Sequence, residues 1–204
     1  MSNAIIAFFG RLTGSKACVA ALLAVIPVTE IKGSVLYVVS AQGAVILPVA
    51  AGYFASVSLA AALTFIVPLT LARAERLPII KKVTSVLTDR LSHRADRIAA
   101  AAEKGKNQAN RFLFGVFAFV AIPLPLTGVW AGALLAAILK MDKKSTFFAL
   151  ASGNFCAAGI VLTVALLAGK YASLVFDLFL VVALIALAAT ITTSFLKRRK
   201  AQNG

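Results

Sequence analysis

The sequence predicts an all-α integral membrane protein with about three full transmembrane helices and two re-entrant helical hairpins. Of its 204 residues, 61% are apolar and only 14% are charged, and the mean hydropathy is +0.95. Several uncharged runs reach the roughly 20 residues that cross a bilayer core. Two apolar stretches contain proline and glycine near their middle, which favours broken helices. This composition argues against a soluble enzyme and against a disordered chain, so we interpret 1–204 as a single membrane domain.

The first part of the chain predicts a surface helix, a hairpin and a span. Residues 1–16 are too short and polar to cross a bilayer, so we expect them to lie on its surface. Residues 17–43 are assigned to hairpin 1, with breaks at Pro27 and Gly33. A single spanning helix over 17–43 stays open, and with it the side of the membrane that holds the N-terminus. Residues 44–72 carry no charge and form the first full span.

The polar region 73–111 carries ten Lys or Arg residues and four Asp or Glu residues. Apolar residues recur in it at helical spacing, which indicates a basic amphipathic helix on an anionic membrane surface. A basic balance can also indicate nucleic-acid binding, but no basic fold remains once the spans are removed. We therefore expect a cytoplasmic loop and no nucleic-acid partner.

The apolar residues 112–139 are interrupted by Pro123 and Pro125, with Gly128 following. Two prolines and a glycine within six residues make a continuous helix improbable, so this stretch is assigned to hairpin 2. The segment 120–124 also repeats the pattern of 24–28, with Ile-Pro at the same place. Broken helices at matching positions of two halves are typical of transporters. A weak inverted repeat is therefore expected.

The last part of the chain predicts two spans and a basic tail. Ser145 is the expected N-cap of a span over 146–169, and a second span covers 172–195. The tail 196–204 contains Lys-Arg-Arg-Lys. If hairpin 2 is re-entrant, the 17 Lys and Arg residues of the loop 73–111, the loop 140–144 and the tail all lie on one side. The positive-inside rule then places the loop 73–111 and the C-terminus in the cytoplasm, with the protein in the cytoplasmic membrane.

Glu30 is the leading functional candidate because it is a carboxylate within an apolar segment. Such residues usually face a cavity or a partner and mark routes for ions or protons. We therefore predict that Glu30 carries a coupling proton. Lys32 is predicted either as its counter-charge or as a contact for an anionic group. A purely structural Glu30–Lys32 ion pair is the alternative, although residues two apart do not face each other on a regular helix.

Four further residues are predicted to contact substrate. Thr127, Gly128 and Trp130 are expected at the tip of hairpin 2, where half-helix N-termini can bind anionic groups. Asn154 lies within a span and could hydrogen-bond a hairpin tip. The alternatives are interface anchoring for Trp130 and helix–helix bonding for Asn154. The sequence contains no metal-ligand cluster, phosphate loop or nucleophile–base pair, so we expect neither a metal, nor a cofactor, nor an enzyme.

Two motifs carry a resemblance to a known family. Pro27-Val28-Thr29-Glu30-Ile31-Lys32-Gly33 resembles the Pro-x-x-Glu-x-Arg-Gly stretch of the bacterial and archaeal family called putative small multidrug export proteins, with Lys32 where an arginine is usual. The segment 122–133, Ile-Pro-Leu-Pro-Leu-Thr-Gly-Val-Trp-Ala-Gly-Ala, resembles the second signature of that family more closely. The family is similar to the wider DedA and VTT group. The resemblance implies two re-entrant hairpins that meet tip to tip and proton-coupled movement of drugs or lipids.

The functional expectation is a proton-coupled secondary transporter of small amphipathic, drug-like molecules. A DedA-type translocase or flippase for lipids or polyprenyl phosphates is the first alternative, because Lys32 tolerates an anionic group. A non-transporting membrane scaffold is the second. The expected partners are membrane lipids, an amphipathic substrate and protons, and assembly into a homo-oligomer stays open.

Overall fold

The computed structural model describes residues 14–74, 108–185 and 188, and these residues form helices and turns without a strand. Most of the predicted surface helix 1–16 and of the basic loop 73–111, and the whole tail 196–204, lie outside the described residues. Seven helices are named here in chain order: α1 Lys16–Val25, α2 Glu30–Ser40, α3 Ile46–Ala74, α4 Gln108–Ala121, α5 Val129–Ile138, α6 Lys143–Ala168 and α7 over 172–185.

Helices α1 and α2 form an antiparallel helical hairpin. The Ser34 hydroxyl donates to the carbonyl of Ala20 at 2.7 Å, and Lys16 Nζ donates to the carbonyl of Gln42. These contacts bring the two ends of the segment 17–43 to the same end of the molecule, which a single spanning helix would not do. Pro27 lies in the connecting turn, as expected for a residue without a backbone N–H.

Gly33 does not lie in the break where the sequence analysis put it. It belongs to the first turn of α2, and its N–H donates to the carbonyl of Thr29 at 2.8 Å. A Cβ at this position would come 2.8 Å from Cβ of Thr29 and 3.4 Å from the ring of Phe179. The glycine is therefore required by close packing and not by an unusual backbone conformation.

Helices α4 and α5 form the second hairpin. The break over residues 122–128 contains Pro123 and Pro125, as predicted. Gly132 of α5 packs so closely against Val120 of α4 that a Cβ would have to displace it. Because Val120 and Gly132 lie at similar distances on either side of the break, the two helices run antiparallel.

The long helices α3 and α6 pack against each other in opposite directions. Three contacts define their register: Tyr53 with Ala151, Ser56 with Asn154, and Phe65 with Lys143. Pro68 lies inside α3 without ending it. The predicted N-cap of α6 was wrong, because Asp142 caps the helix by accepting from the Ser145 N–H at 2.9 Å. The helix accordingly begins at Lys143.

The core consists of two clusters, one around each hairpin. The first joins α1 and α2 to residues near the end of α6, and the start of α3 packs against it. The second joins α4 and α5 to residues near the start of α6 and to the middle of α3. The two hairpins therefore lie at opposite ends of the α3–α6 pair and approach each other between these ends.

The protein has two halves, α1–α3 and α4–α6, and the helices of one half make contacts that correspond to those of the other. Helix α1 packs on α3 as α4 packs on α6, and α2 packs on α6 as α5 packs on α3. Each half thus consists of a helical hairpin followed by a long helix. The echo between segments 24–28 and 120–124 marks corresponding breaks in the two halves.

A 3-10 turn, Gly169–Tyr171, separates α6 from α7. Gly169 has a left-handed backbone (φ 51°), which suits glycine at the end of a helix. Phe176 and Leu180 of α7 are buried in the cluster around α1 and α2, and Phe179 lies against Gly33 near the tip of that hairpin. Because Phe179 reaches this tip, α7 runs back alongside α6.

Two stretches of the described residues have the length and the exposed apolar surface of membrane-spanning helices. These stretches, Ile46–Arg73 and Lys143–Ile185, are long and apolar enough to cross a bilayer, although the 3-10 turn interrupts the second. Only 22% and 39% of their most apolar windows are buried within the protein. Large apolar side chains such as Leu47, Phe54 and Leu167 are exposed. Such a surface suits lipid and not water.

Candidate functional site

The Glu30–Lys32 ion pair lies where the tips of the two hairpins meet. Both side chains are buried, with exposures of 2% for Glu30 and 1% for Lys32, and Lys32 Nζ lies 3.8 Å from Glu30 Oε2. The sequence argument against a pair two residues apart assumed regular helical geometry. Glu30 instead has a left-handed backbone (φ 49°) at the first position of α2, so its side chain does not follow the helical spacing.

Lys32 inserts into the break of the second hairpin. Its Nζ donates to the carbonyl of Leu124 at 2.9 Å and to the hydroxyl of Thr127 at 2.9 Å. The Thr127 hydroxyl also lies 2.8 Å from the carbonyls of Ile122 and Leu124. The ammonium group therefore satisfies one carbonyl of the break, three residues beyond the C-terminal end of α4, where a helix attracts positive charge.

Glu30 occupies the other side of the same break. Its carboxylate fills the space next to Gly128, the N-cap of α5, and a side chain at 128 would overlap it. The Trp130 backbone amide interacts with this carboxylate. A carboxylate at a helix N-terminus is favoured by the helix dipole and by the free N–H groups. Oε1 of Glu30 has no hydrogen-bond partner among the described residues.

Trp130 makes a contact in the opposite sense, from hairpin 2 to hairpin 1. Its indole Nε1 donates to the carbonyl of Val25 at 3.0 Å, and Val25 is the last residue of α1. The first hairpin thus binds the break of the second through Lys32 and Glu30, and the second caps the C-terminal end of α1 through Trp130. We call this set of contacts the tip clasp, made by Glu30, Lys32, Leu124, Thr127, Gly128, Trp130 and Val25.

Each hairpin has a non-glycine residue with a left-handed backbone in its break or directly next to it. These residues are Glu30 (φ 49°) and Leu126 (φ 66°). A bulky side chain in this region costs about 1–3 kcal/mol, and such strain tends to occur at functional sites.

Asn154 lies in a different polar contact. It is buried in α6, and its Nδ2 donates to the hydroxyl of Ser56 in α3 at 3.0 Å. This contact joins the two long helices, as the helix–helix alternative expected. Its Oδ1 has no hydrogen-bond partner among the described residues. Contacts among the described residues bring together five of the predicted site residues: Glu30, Lys32, Thr127, Gly128 and Trp130. The contact of the Asn154 side chain is with Ser56, outside this group.

Sequence reasoning missed Thr29 and Ser56. The Thr29 hydroxyl donates to the carbonyl of Leu23 at 2.6 Å, so it ties the turn of hairpin 1 to α1. Thr127 makes the corresponding bonds in hairpin 2. Aligning the two Ile-Pro segments does not pair these threonines, because Thr29 follows its isoleucine by three residues and Thr127 follows its isoleucine by five. Ser56 gives no signal either, because a serine among small residues is common in membrane helices.

The clasp holds one negative and one positive charge between helix ends in an apolar setting. Such groups can exchange a proton or bind a polar part of a substrate. Among residues 14–74 and 108–185, no three His, Cys, Asp or Glu side chains cluster in a way that could hold a metal ion.

Comparison with known families identifies one match. A model of the family described as "Putative small multi-drug export protein" matches residues 30–161, from the start of α2 into α6. The matched range begins at Glu30 and contains the whole break of hairpin 2. Comparisons with curated proteins and with solved structures gave no match.

Proposed function

Because this chain belongs to the small multidrug export family, we propose that it is a secondary transporter of amphipathic molecules, coupled to protons through Glu30. The observation that carries the proposal is the buried Glu30–Lys32 pair between two broken helices. The family description supports an export role in the membrane. Proton coupling and the nature of the substrate are our own extension of it.

The arrangement of the two hairpins supports an alternating-access mechanism. They lie at opposite ends of the α3–α6 pair and touch at their tips. If α3 and α6 span the bilayer, each hairpin is re-entrant and enters from its own side. Separating one hairpin from the clasp would then open the site to one side only, as in transporters built from inverted repeats.

A proton on Glu30 would weaken the clasp. A neutral carboxyl loses its attraction to Lys32 and to the N-terminus of α5. Oε1 of Glu30 makes no hydrogen bond within the described residues and is the oxygen at which a proton would be held. Lys32 would keep its bonds to Leu124 and Thr127 and could receive an anionic group of the substrate instead.

The charge distribution supports a cytoplasmic position for the end of α3 and the start of α6. Arg73, Lys140, Lys143 and Lys144 all lie at this end of the α3–α6 pair. The positive-inside rule assigns such an end to the cytoplasmic side of a cell membrane. The ends of hairpin 1 and Lys170 then face outwards.

Two alternative functions are kept. A DedA-type flippase for lipids or polyprenyl phosphates is favoured by the partnership of Lys32 with oxygen acceptors, which suits a phosphate. A non-transporting scaffold would use the same contacts only for stability. For none of these three functions, transporter, flippase or scaffold, do we propose enzymatic chemistry or a cofactor.

Flux measurements in proteoliposomes test the proposal. With an imposed pH gradient, we expect the wild-type protein and Lys32→Arg to move a cationic amphipathic dye, and Glu30→Gln to lose gradient-driven flux while remaining folded. Asp142→Asn removes a carboxylate outside the clasp and is the matched control. Lys32→Ala should reduce flux, because the clasp then holds one unpaired charge.

The alternatives give different results. Full gradient-driven flux in a folded Glu30→Gln protein would overturn the coupling role. A structural pair predicts instead that Glu30→Gln lowers stability and that Glu30→Gln with Lys32→Gln recovers stability and flux together. A flippase would move labelled phospholipid or polyprenyl phosphate and leave the dye, whereas a scaffold would move none of them.

A further inference from the structure

An apolar groove lies on the outer surface where α3 and α6 cross at the end assigned to the cytoplasm. It encloses about 300 Å³ and is lined by Thr64 and Phe65 of α3 and by Lys143, Lys144, Phe147 and Phe148 of α6. None of these residues belongs to the tip clasp. The groove is therefore a feature separate from the proposed transport site.

The floor and walls of the groove are suited to hydrocarbon. Phe65 and Phe148 are 59% and 66% exposed and present their rings to the surroundings. Thr64 is buried, and its hydroxyl already donates to the carbonyl of Ala60 at 2.7 Å, so it offers no free polar group. An acyl chain could cover these surfaces without leaving a polar group unpaired.

Two cations stand at the rim of the groove. Lys143 Nζ lies 4.6 Å from the ring centroid of Phe65, and Lys144 is exposed beside it. In the described part of the chain, neither ammonium group is paired with a carboxylate, and Asp142 is engaged with the Ser145 N–H. Two positive groups above an apolar groove complement a molecule with an anionic head and a hydrocarbon tail.

We propose that this groove binds an anionic phospholipid, with its phosphate at Lys143 and Lys144 and an acyl chain along Phe65, Phe147 and Phe148. The occupant is a lipid because the groove opens sideways from two helices whose surfaces face the bilayer. Cytoplasmic leaflets are rich in anionic lipids, which juxtamembrane lysines attract. The rings of Phe147 and Phe148 pack edge to face with their centroids 5.8 Å apart, and the adjacent lysines set where the head group meets the chain.

Native mass spectrometry of the protein released from mixed phosphatidylglycerol and phosphatidylcholine nanodiscs tests this site. We expect retained phosphatidylglycerol to exceed phosphatidylcholine. Each Lys→Gln change at 143 or 144 should weaken phosphatidylglycerol binding roughly fivefold. The control Arg73→Gln with Lys140→Gln removes two exposed charges at the same end of the protein but outside the groove. It should leave retention close to wild type.

The apolar part of the site has its own matched pair of variants. Phe148→Ala removes a groove wall, whereas Phe155→Ala removes a similarly exposed ring of α6 outside the groove. We expect only Phe148→Ala to reduce retained lipid. The side chains changed at 143, 144, 148 and 155 are all exposed, so thermal unfolding should be near wild type for every variant.

Several outcomes would overturn the proposal. Equal loss in the Arg73, Lys140 control would mean general surface attraction, and equal retention of phosphatidylcholine would mean that the lysines do not select the head group. Full competition by soluble glycerol phosphate would indicate an anion site without an acyl-chain contribution. None of these results depends on flux. The lipid-site proposal can therefore be overturned while the transport proposal stands, and the transport proposal can be overturned while the lipid site stands.

Discussion

The carboxylate of Glu30 occupies the space that any side chain at position 128 would need. We therefore expect Gly128→Ala to push Glu30 out of the clasp and to lower stability by about 1–3 kcal/mol, the usual cost of overpacking. Thermal unfolding of the purified protein in detergent measures this effect.

Gly159→Ala is the control for that change, because no atom lies within 4 Å of a Cβ built there. It should be neutral or slightly stabilising, since alanine is the better helix former. If Gly128→Ala unfolded at the same temperature as Gly159→Ala, the claim that Glu30 fills the space next to Gly128 would be wrong.

Single residues also show how far sequence reasoning reaches at this site. A charge in an apolar run is conspicuous, so the sequence alone is enough to select Glu30 and Lys32. Their pairing is not visible there, because it depends on the left-handed backbone of Glu30, which no local rule requires of a glutamate. Bonds from Lys32 and Trp130 to main-chain carbonyls are equally hidden, since every residue offers a carbonyl.

At the scale of elements, the start of α6 depends on the Asp142 cap. The hydrogen bond from the Ser145 N–H favours the ionised carboxylate and holds the pKa of Asp142 below its ordinary value of 3.8. A lowered pKa means that the cap stabilises the folded state fully above the ordinary value. This contribution to stability is lost as the pH falls through the lowered pKa of the folded protein.

We therefore expect the wild-type protein to lose a small part of its stability on acidification through this range. Asp142→Asn keeps a capping oxygen without a titrating group and should lose less. Thermal unfolding of both proteins at a series of acidic pH values measures the difference. Identical acid dependence of the two would show that Asp142 does not contribute through its charge.

The approximate positions of the elements were easier to predict than their exact ends. Uncharged runs located α3 and α6 to within a few residues, because a span must be continuously apolar. The prolines located both breaks for a similarly simple reason. The N-cap of α6 was misassigned to Ser145, since Asp142 lies in a charged segment that reads equally well as a loop.

At the scale of the whole molecule, the two-fold exchange of contacts fixes which loops share an end. Cysteine labelling in a background lacking Cys18 and Cys156 tests the resulting topology. Asn107→Cys, Lys144→Cys and Gln202→Cys should all react from the cytoplasm, and Lys170→Cys from outside. If the cysteine at 144 reacted only from outside, hairpin 2 would cross the membrane and the re-entrant interpretation would fail.

The reciprocal capping at the hairpin tips also constrains how the protein is made. Lys32 and Leu124 are 92 residues apart in the chain, and Val25 and Trp130 are 105 apart. At about 5–20 residues per second, the ribosome needs roughly 5–20 s to supply these partners. During this delay Lys32 lacks its acceptors in the second hairpin, and the end of α1 lacks the indole donor of Trp130. If the hairpins are re-entrant in a bilayer, we expect the first to reach its final depth only when the second arrives, so that the two halves complete their insertion together.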